Sequence, residues 1–191
     1  MSSRNCVAFE GSRRIAAGEL SKVALAAKRV IDRSERGQVL IFDEITSEPV
    51  EIDFRGTGDD VLQRLNGLQA VDEPRRPGRP KLGVIGREVT LLPRHWEWLN
   101  SQPGGASVAL RKLVEQARRA NTGRDRVRRA QEAAYRFMSA MAGNEVGFEE
   151  AIRAFFAGKR DRFEDLVERW PKDVRDHTKK LAAAAFSGGA E

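Results

Sequence analysis

The chain opens with two short apolar runs, Cys6 to Glu10 and Arg13 to Ala16, separated by Gly11 and Ser12. Runs of this length around a turn pair predict two adjacent strands. Leu20, Val23, Ala24, Ala27, Val30 and Ile31 then recur at helical spacing, with Lys22, Lys28, Arg29 and Arg33 opposite them. That is the pattern of a surface helix over a sheet. Gln38 to Phe42 is again a compact apolar run, and Val50, Ile52 and Phe54 alternate with Glu51, Asp53 and Arg55. Together they predict a hairpin turning around Thr46 to Pro49. Thr57, followed three residues later by Asp60, has the spacing of a capping box that opens a short helix through Leu65.

The middle of the chain changes character. Pro74, Pro77, Pro80, Gly78 and Gly83 deny regular structure to Ala70 through Gly83, which reads as a linker. Arg87 to Leu92 is a strand candidate, because Val89, Thr90 and Leu91 favour extended backbone and Pro93 can neither continue a ladder nor donate to one. Pro93 suits a first helical turn. His95, Trp96, Leu99 and Trp98 give the next helix an apolar stripe, packing helix to helix, which Pro103, Gly104 and Gly105 end. Ser107 stands where an N-cap belongs. Val108, Leu110, Leu113, Val114 and Ala117 follow at helical period, with Arg111, Lys112, Arg118 and Arg119 on the exposed side and in the last turn. From Arg124 the pattern is helical to the end. Val127, Ala130, Ala134, Phe137, Met138 and Met141 share a face up to Gly143, and further short amphipathic helices carry Phe148, Phe155, Phe163, Trp170, Val174 and Leu181. These predict a compact bundle, or helices packed onto the preceding ones.

The expected fold class is α+β in four segments: residues 1–69 a small N-terminal α/β module, 70–83 a basic Pro/Gly linker, 84–121 a central strand-helix-helix segment, and 122–191 a C-terminal helical bundle. Charge sharpens this division. The chain carries +6 overall, but residues 75–129 hold 14 Lys or Arg against Glu88, Glu97, Glu115 and Asp125, a local net of +10. A basic middle between mildly acidic ends points to a local polyanion-binding surface. Cys6 is the only cysteine and reads as a small buried apolar residue; with His95 and His177 as the only histidines, no ordinary zinc cluster is expected. His177, flanked by Asp176 and Lys179, is expected to be exposed or capping. Asp43, Glu44, Glu51, Asp53, Asp59 and Asp60 fall on the wet face of the hairpin and at a helix start rather than in a metal site. No apolar run approaches a membrane span and the first residues lack a secretory pattern, so the expected compartment is the cytoplasm, in association with the nucleoid.

Three resemblances follow from these residues. The order strand, Pro93, helix, Gly105-Ala106-Ser107, helix with Leu110, Arg111, Leu113 and Val114 resembles the ribbon-helix-helix DNA-binding fold, in which two chains pair their strands and lay the ribbon in the major groove. The likeness departs at the strand, where Leu91 and Leu92 are adjacent instead of alternating, so two registers stay open. Arg75-Arg76-Pro77-Gly78-Arg79-Pro80-Lys81 is similar to an AT-hook, with Pro77 where arginine is usual. Finally, Gly78 to Val84, Arg87 to Arg119 and Tyr135 to Gly143 look like a bacterial family catalogued only as a domain of unknown function, over nearly the whole chain.

No phosphate-binding glycine loop, nucleophile elbow or His-containing metal motif is present, so an enzyme is not expected and no cofactor is implied. The leading expectation is a dimeric DNA-binding protein, a transcriptional regulator or chromosome-associated protein. The ribbon resemblance implies Arg87, Glu88 and Thr90 near base edges, and Arg94 with the amides around Ser107 on phosphates. The AT-hook resemblance implies Arg79 in the minor groove, flanked by Arg75, Arg76 and Lys81. Arg111, Lys112, Arg118 and Arg119 add contacts to the duplex, and Arg124, Arg126, Arg128 and Arg129 add attraction to it. One alternative is a helix-turn-helix with Ser107 to Arg119 in the groove; another is a protein-interaction module without a nucleic-acid role. His95, Trp96 and Trp98 also admit a reading as a stacking platform for bases.

Overall fold

Cys6 to Phe9 and Val39 to Phe42 are each four consecutive apolar residues. A strand alternates its side chains between two faces, so such a run is stable only where both faces are covered. The computed structural model describes residues 4–33, 38–69 and 85–187. It contains three strands and seven helices among those residues. Residues 1–71 and 124–191 form one compact unit, and residues 72–123 form another.

In the larger unit, β1 (Asn5–Glu10) is the central strand of an antiparallel sheet. It lies between β2 (Arg13–Glu19) and β3 (Val39–Asp43). Val7 pairs with Ala17 on one side and with Phe42 on the other, and the register with β2 shifts between Ala8 and Phe9. Cys6, Ala8 and Ile41 face α1 (Leu20–Arg33) and α2 (Gly58–Gln69), in a core with Val23, Ala24, Ala27, Val61 and Leu65. Burial raises the pKa of the Cys6 thiol, which keeps it protonated and unreactive. The α1 pattern holds except at Lys28, whose stem is buried while its ammonium reaches Asp32.

Val7, Phe9 and Phe42 face the other way, toward the C-terminal helices. These are α4 (Gly105–Ala142) from residue 124 onward, α5 (Phe148–Phe156), α6 (Arg160–Val167) and α7 (Lys172–Phe186). Phe137 sits at the junction, 5.4 Å from the rings of both Phe9 and Phe42 and 4.5 Å from His177. Phe155, Phe163 and Phe186 form a second aromatic group with centroid separations of 5.3 to 5.7 Å. The helices expected to bundle among themselves therefore form the second cover of the sheet, and segments 1–69 and 122–191 share one core. The expected boundary at 121/122 falls inside α4, where Gly123 is helical. One glycine costs a helix interior about 1 kcal/mol, too little to break a run of strong helix formers.

The hairpin expected beyond β3 does not form. Phe42 bridges Pro49 and the Val50 amide donates to the Ile41 carbonyl at 2.8 Å, but Val50 to Phe54 is not a strand. Pro49 cannot donate to a ladder, and Arg64 takes the carbonyls of Asp53 and Arg55. Val50, Ile52 and Phe54 still pack against the α1 side of the core, so their alternation reports burial without pairing. The capping box forms as expected: Asp60 Oδ2 accepts from the Thr57 amide at 2.7 Å, and the Asp60 amide donates to Thr57 Oγ1 at 3.3 Å.

His177, expected exposed or capping, is 2% exposed, and its Nε2 lacks a hydrogen-bond partner among the described residues. Position i and i+4 arithmetic explains this: Val174, His177, Thr178 and Leu181 are the buried face of α7. Burial pulls its pKa down to about 4, helped by the positive charges of Lys180 and Arg14 and opposed by Glu44. The folded value lies below the unfolded one, so the fold favours neutral imidazole. The stability this preserves is complete above the unfolded value near 6.5 and is lost progressively as pH falls toward 4. Denaturation at pH 7 and pH 4 is expected to show an acid loss smaller by about 2 kcal/mol in His177→Gln than in the unmodified chain. Equal acid losses in the two proteins would show that His177 does not titrate across the transition.

Candidate nucleic-acid interface

The smaller unit contains α3 (Pro93–Ser101) and α4 up to residue 123. Pro93 occupies the first turn of α3 after an extended Leu92, as proline's fixed φ and missing donor favour. α3 ends at Gln102, whose amide donates to the Leu99 carbonyl at 3.2 Å. Gly104 and Gly105 then take φ of 86° and 75°, a left-handed pair that side chains disfavour. A Cβ on Gly104 would also lie 3.2 Å from the Val108 side chain. The turn places the start of α4 at Gly105, so Ser107 lies within the first turn and is not the N-cap.

Arg75, Arg76, Arg79 and Lys81, with the whole AT-hook-like stretch, lie outside the described residues. Arg87, Glu88 and Thr90 are exposed on a segment that has no ladder partner among the described residues. The strand expected over Arg87 to Leu92 is thus not formed within the single chain. Val89 and Leu92 are exposed and Leu91 half-buried, so neither register of the alternation finds a core here.

Arg94 on α3 is exposed, as are Ser107, Arg111, Lys112, Arg118 and Arg119 on α4. At about 100° per residue, positions seven apart nearly superimpose, so Arg111 lines up with Arg118 and Lys112 with Arg119 in two neighbouring rows. Successive cations in a row stand about 10 Å apart along the axis. Ala106, Leu110, Leu113 and Ala117 fall on the opposite side of the helix, and Lys112 stands at the border of the basic face, next to Ala109 and Gln116. Glu115 interrupts the basic face, pairing with Arg118 at 3.3 Å and Arg119 at 3.0 Å. Exposed pairs of this kind are worth at most about 1 kcal/mol, so a phosphate can displace them. Arg94, Arg111 and Lys112 form no ion pair among the described residues. The structure brings the four α4 cations onto one face and links none of Arg87, Glu88, Thr90 or Arg94 to them by a hydrogen bond or ion pair. In the larger unit, Arg124, Arg126, Arg128 and Arg129 are exposed, with Arg128 3.0 Å from Asp125.

Of the expected α3 stripe, only Leu99 is buried, at 3% exposure; His95 is exposed, and Trp96 and Trp98 are 37% and 51% exposed. Trp98 borders a cleft of about 200 Å³ with Gln102, Pro103, Ala109, Lys112, Leu113 and Gln116. In the sequence this cleft leaves only a faint trace. Ala109, Lys112, Leu113 and Gln116 at i, i+3, i+4 and i+7 were the available signal, since that spacing marks one helix face.

The acidic residues of the larger unit are engaged locally. Burial works against the Asp43 carboxylate, but the Thr46 amide, Arg4 and the Ile45 amide hold its pKa below the ordinary value. Asp53 is held low by the Arg55 guanidinium and amide, and Glu44 pairs with Lys180 at 2.6 Å. No group of three metal-binding side chains occurs among the described residues. No described helix is long and apolar enough to cross a membrane.

A chain with a small antiparallel sheet, seven described helices and a basic central unit is an α+β protein. It belongs to a family described as an uncharacterized protein conserved in bacteria (DUF2239), matched over residues 5–182. No curated protein matches it. No solved structure matches it either.

Proposed function

We propose that this protein binds double-stranded DNA as a homodimer, through the basic face of the central unit. The observation that carries the reading is the gathering of Arg111, Lys112, Arg118 and Arg119 on one exposed face of α4, within a stretch whose local net charge is +10. Phosphate contacts supply most non-specific affinity for duplex DNA, and rows of exposed cations on a helix are suited to them. Support for dimerisation comes from the apolar surface this unit leaves open. Val89, Leu92 and Val114 are all between 49% and 63% exposed, whereas a stable small unit must bury such groups. Pairing of two copies along Arg87 to Leu92 with Val89 turned inward would cover Val89 and Leu91, and would aim Glu88 and Thr90 at base edges. Regulation of transcription or organisation of the chromosome is the role such binding serves.

A helix-turn-helix reading has one observation in its favour, the short glycine-containing turn Gln102 to Gly104 between α3 and α4. Two variants separate the readings. Val89→Pro removes a ladder donor, so strand pairing predicts a shift from dimer to monomer by light scattering and at least a tenfold loss of duplex affinity, on the order of one lost half-site. Arg111→Ala with Lys112→Ala should weaken all duplexes about equally if these side chains touch phosphates, and should alter sequence choice if α4 reads the groove. A Val89→Pro protein that remains a dimer and binds DNA normally excludes the paired-strand arrangement.

A further inference from the structure

The cleft between α3 and the first turns of α4 combines one aromatic wall, one cation and two amides, with no carboxylate in its lining. Trp98 is 51% exposed, so about half of its surface is open to solvent at the cleft. Its own carbonyl anchors the neighbouring chain, accepting from Ser101 Oγ at 2.8 Å and Gln102 Nε2 at 3.2 Å. Lys112 forms no ion pair among the described residues, unlike Arg118 and Arg119. Pro103, Ala109 and Leu113 supply the apolar part of the lining, and Gln116 adds an amide able to donate and accept. About 200 Å³ is below the 300 to 1,000 Å³ of sites for drug-sized ligands, so the cleft has room for one planar ring system and not for a whole nucleotide.

A ring face beside an uncompensated cation and amide groups suits a flat, polar-edged ring tethered to an anion. A nucleobase with its phosphate has this chemistry, but in an intact duplex the base faces are stacked and out of reach. We propose that the α3–α4 cleft takes one unpaired nucleobase of single-stranded DNA, stacked on Trp98, with Lys112 on the adjoining phosphate. The inference rests on the nucleic-acid reading above and adds a preference to it: gapped or locally melted DNA is bound more tightly than intact duplex. An aromatic side chain from a second copy is the competing occupant, and it makes a different prediction for the Trp98 variants.

The test uses the full chain and measures fluorescence anisotropy with an intact duplex and with the same duplex carrying a short single-stranded gap. The unmodified protein is expected to bind the gapped probe about tenfold more tightly, the usual effect of stacking one base. Trp98→Ala should bring the gapped probe to the affinity of the intact one while leaving the intact affinity unchanged; Trp98→Phe should keep part of the difference. Oligo(dT) should quench tryptophan emission in the unmodified protein and lose most of that quenching in Trp98→Phe. Gln116→Glu, which puts a carboxylate beside the proposed phosphate, should also erase the preference for the gap. Circular dichroism confirms that each variant is folded. Equal affinity for both probes in the unmodified protein overturns the proposal, as does a gap preference that survives in folded Trp98→Ala. Dissociation of a dimer by Trp98→Ala assigns the cleft to a second copy and overturns it as well. Binding to the gapped probe alone upholds the cleft and removes the duplex reading, whereas binding to neither probe removes both.

Discussion

Phe137→Ala is expected to lower the unfolding free energy by about 3–5 kcal/mol, a large share of the 5–15 kcal/mol typical of a domain. The ring is fully buried and touches both faces of the interlayer contact, with Phe9 and Phe42 on the sheet and His177 on α7. Removing it leaves a cavity among rigid aromatic neighbours that cannot collapse into the space. Because the contact joins residues far apart in sequence, the loss should be shared: amide exchange in β1 and in α7 should accelerate together. Urea unfolding supplies the magnitude, and Phe137→Leu, which keeps most of the volume, should cost less than about 1.5 kcal/mol. A change below about 1 kcal/mol for Phe137→Ala, or exchange that accelerates in α7 and not in β1, would show that the helices do not cover the sheet.

Duplex affinity is expected to fall on the order of a thousandfold between 50 and 200 mM salt, as displacement of counterions by about six phosphate contacts requires. The exposed cations among the described residues of the smaller unit are six, Arg87, Arg94, Arg111, Lys112, Arg118 and Arg119. Two of them enter the free protein already paired with Glu115, and since such pairs are weak and themselves screened by salt, they reduce the slope little. Arg111→Ala with Lys112→Ala should therefore flatten the slope by about two contacts as well as lower the affinity. An affinity independent of salt, or no binding at low salt, would sink the electrostatic reading of α4.

Local signals in the sequence carried over into structure where local physics decides. The turn at Gly11-Ser12, the capping box at Thr57 and Asp60, the proline start of α3 and the halt of α4 before Gly143 each depend on a few adjacent residues, and each is where the residues place it. The amphipathic pattern of α1 and of α4 beyond residue 124 likewise reports faces that are buried. One signal of the second layer is local: Cys6 to Phe9 and Val39 to Phe42 are apolar at every position, which a sheet covered on one side does not need. Taken at face value they demand a second layer. For the interface, residue types and local charge were legible, but the paired rows on α4, the competition from Glu115 and the cleft at Trp98 depend on where one long helix begins and how its turns face α3.

The sequence by itself determined the α+β composition, most element positions, the basic centre and the residues able to touch an anion, because periodicity, turn chemistry and charge are properties of neighbouring residues. Only the tertiary structure decided that the C-terminal helices close over the N-terminal sheet, that Val50 to Phe54 packs without pairing, and that His177 is buried against Phe9 and Phe137. Those outcomes turn on which apolar face meets which. An apolar stripe states that it must be covered and leaves its partner unnamed, so the choice between a self-contained bundle and a second layer was settled by shape and volume at contacts 90 or more residues apart, as between Phe42 and Phe137, with Arg136 reaching the Thr46 carbonyl beside them.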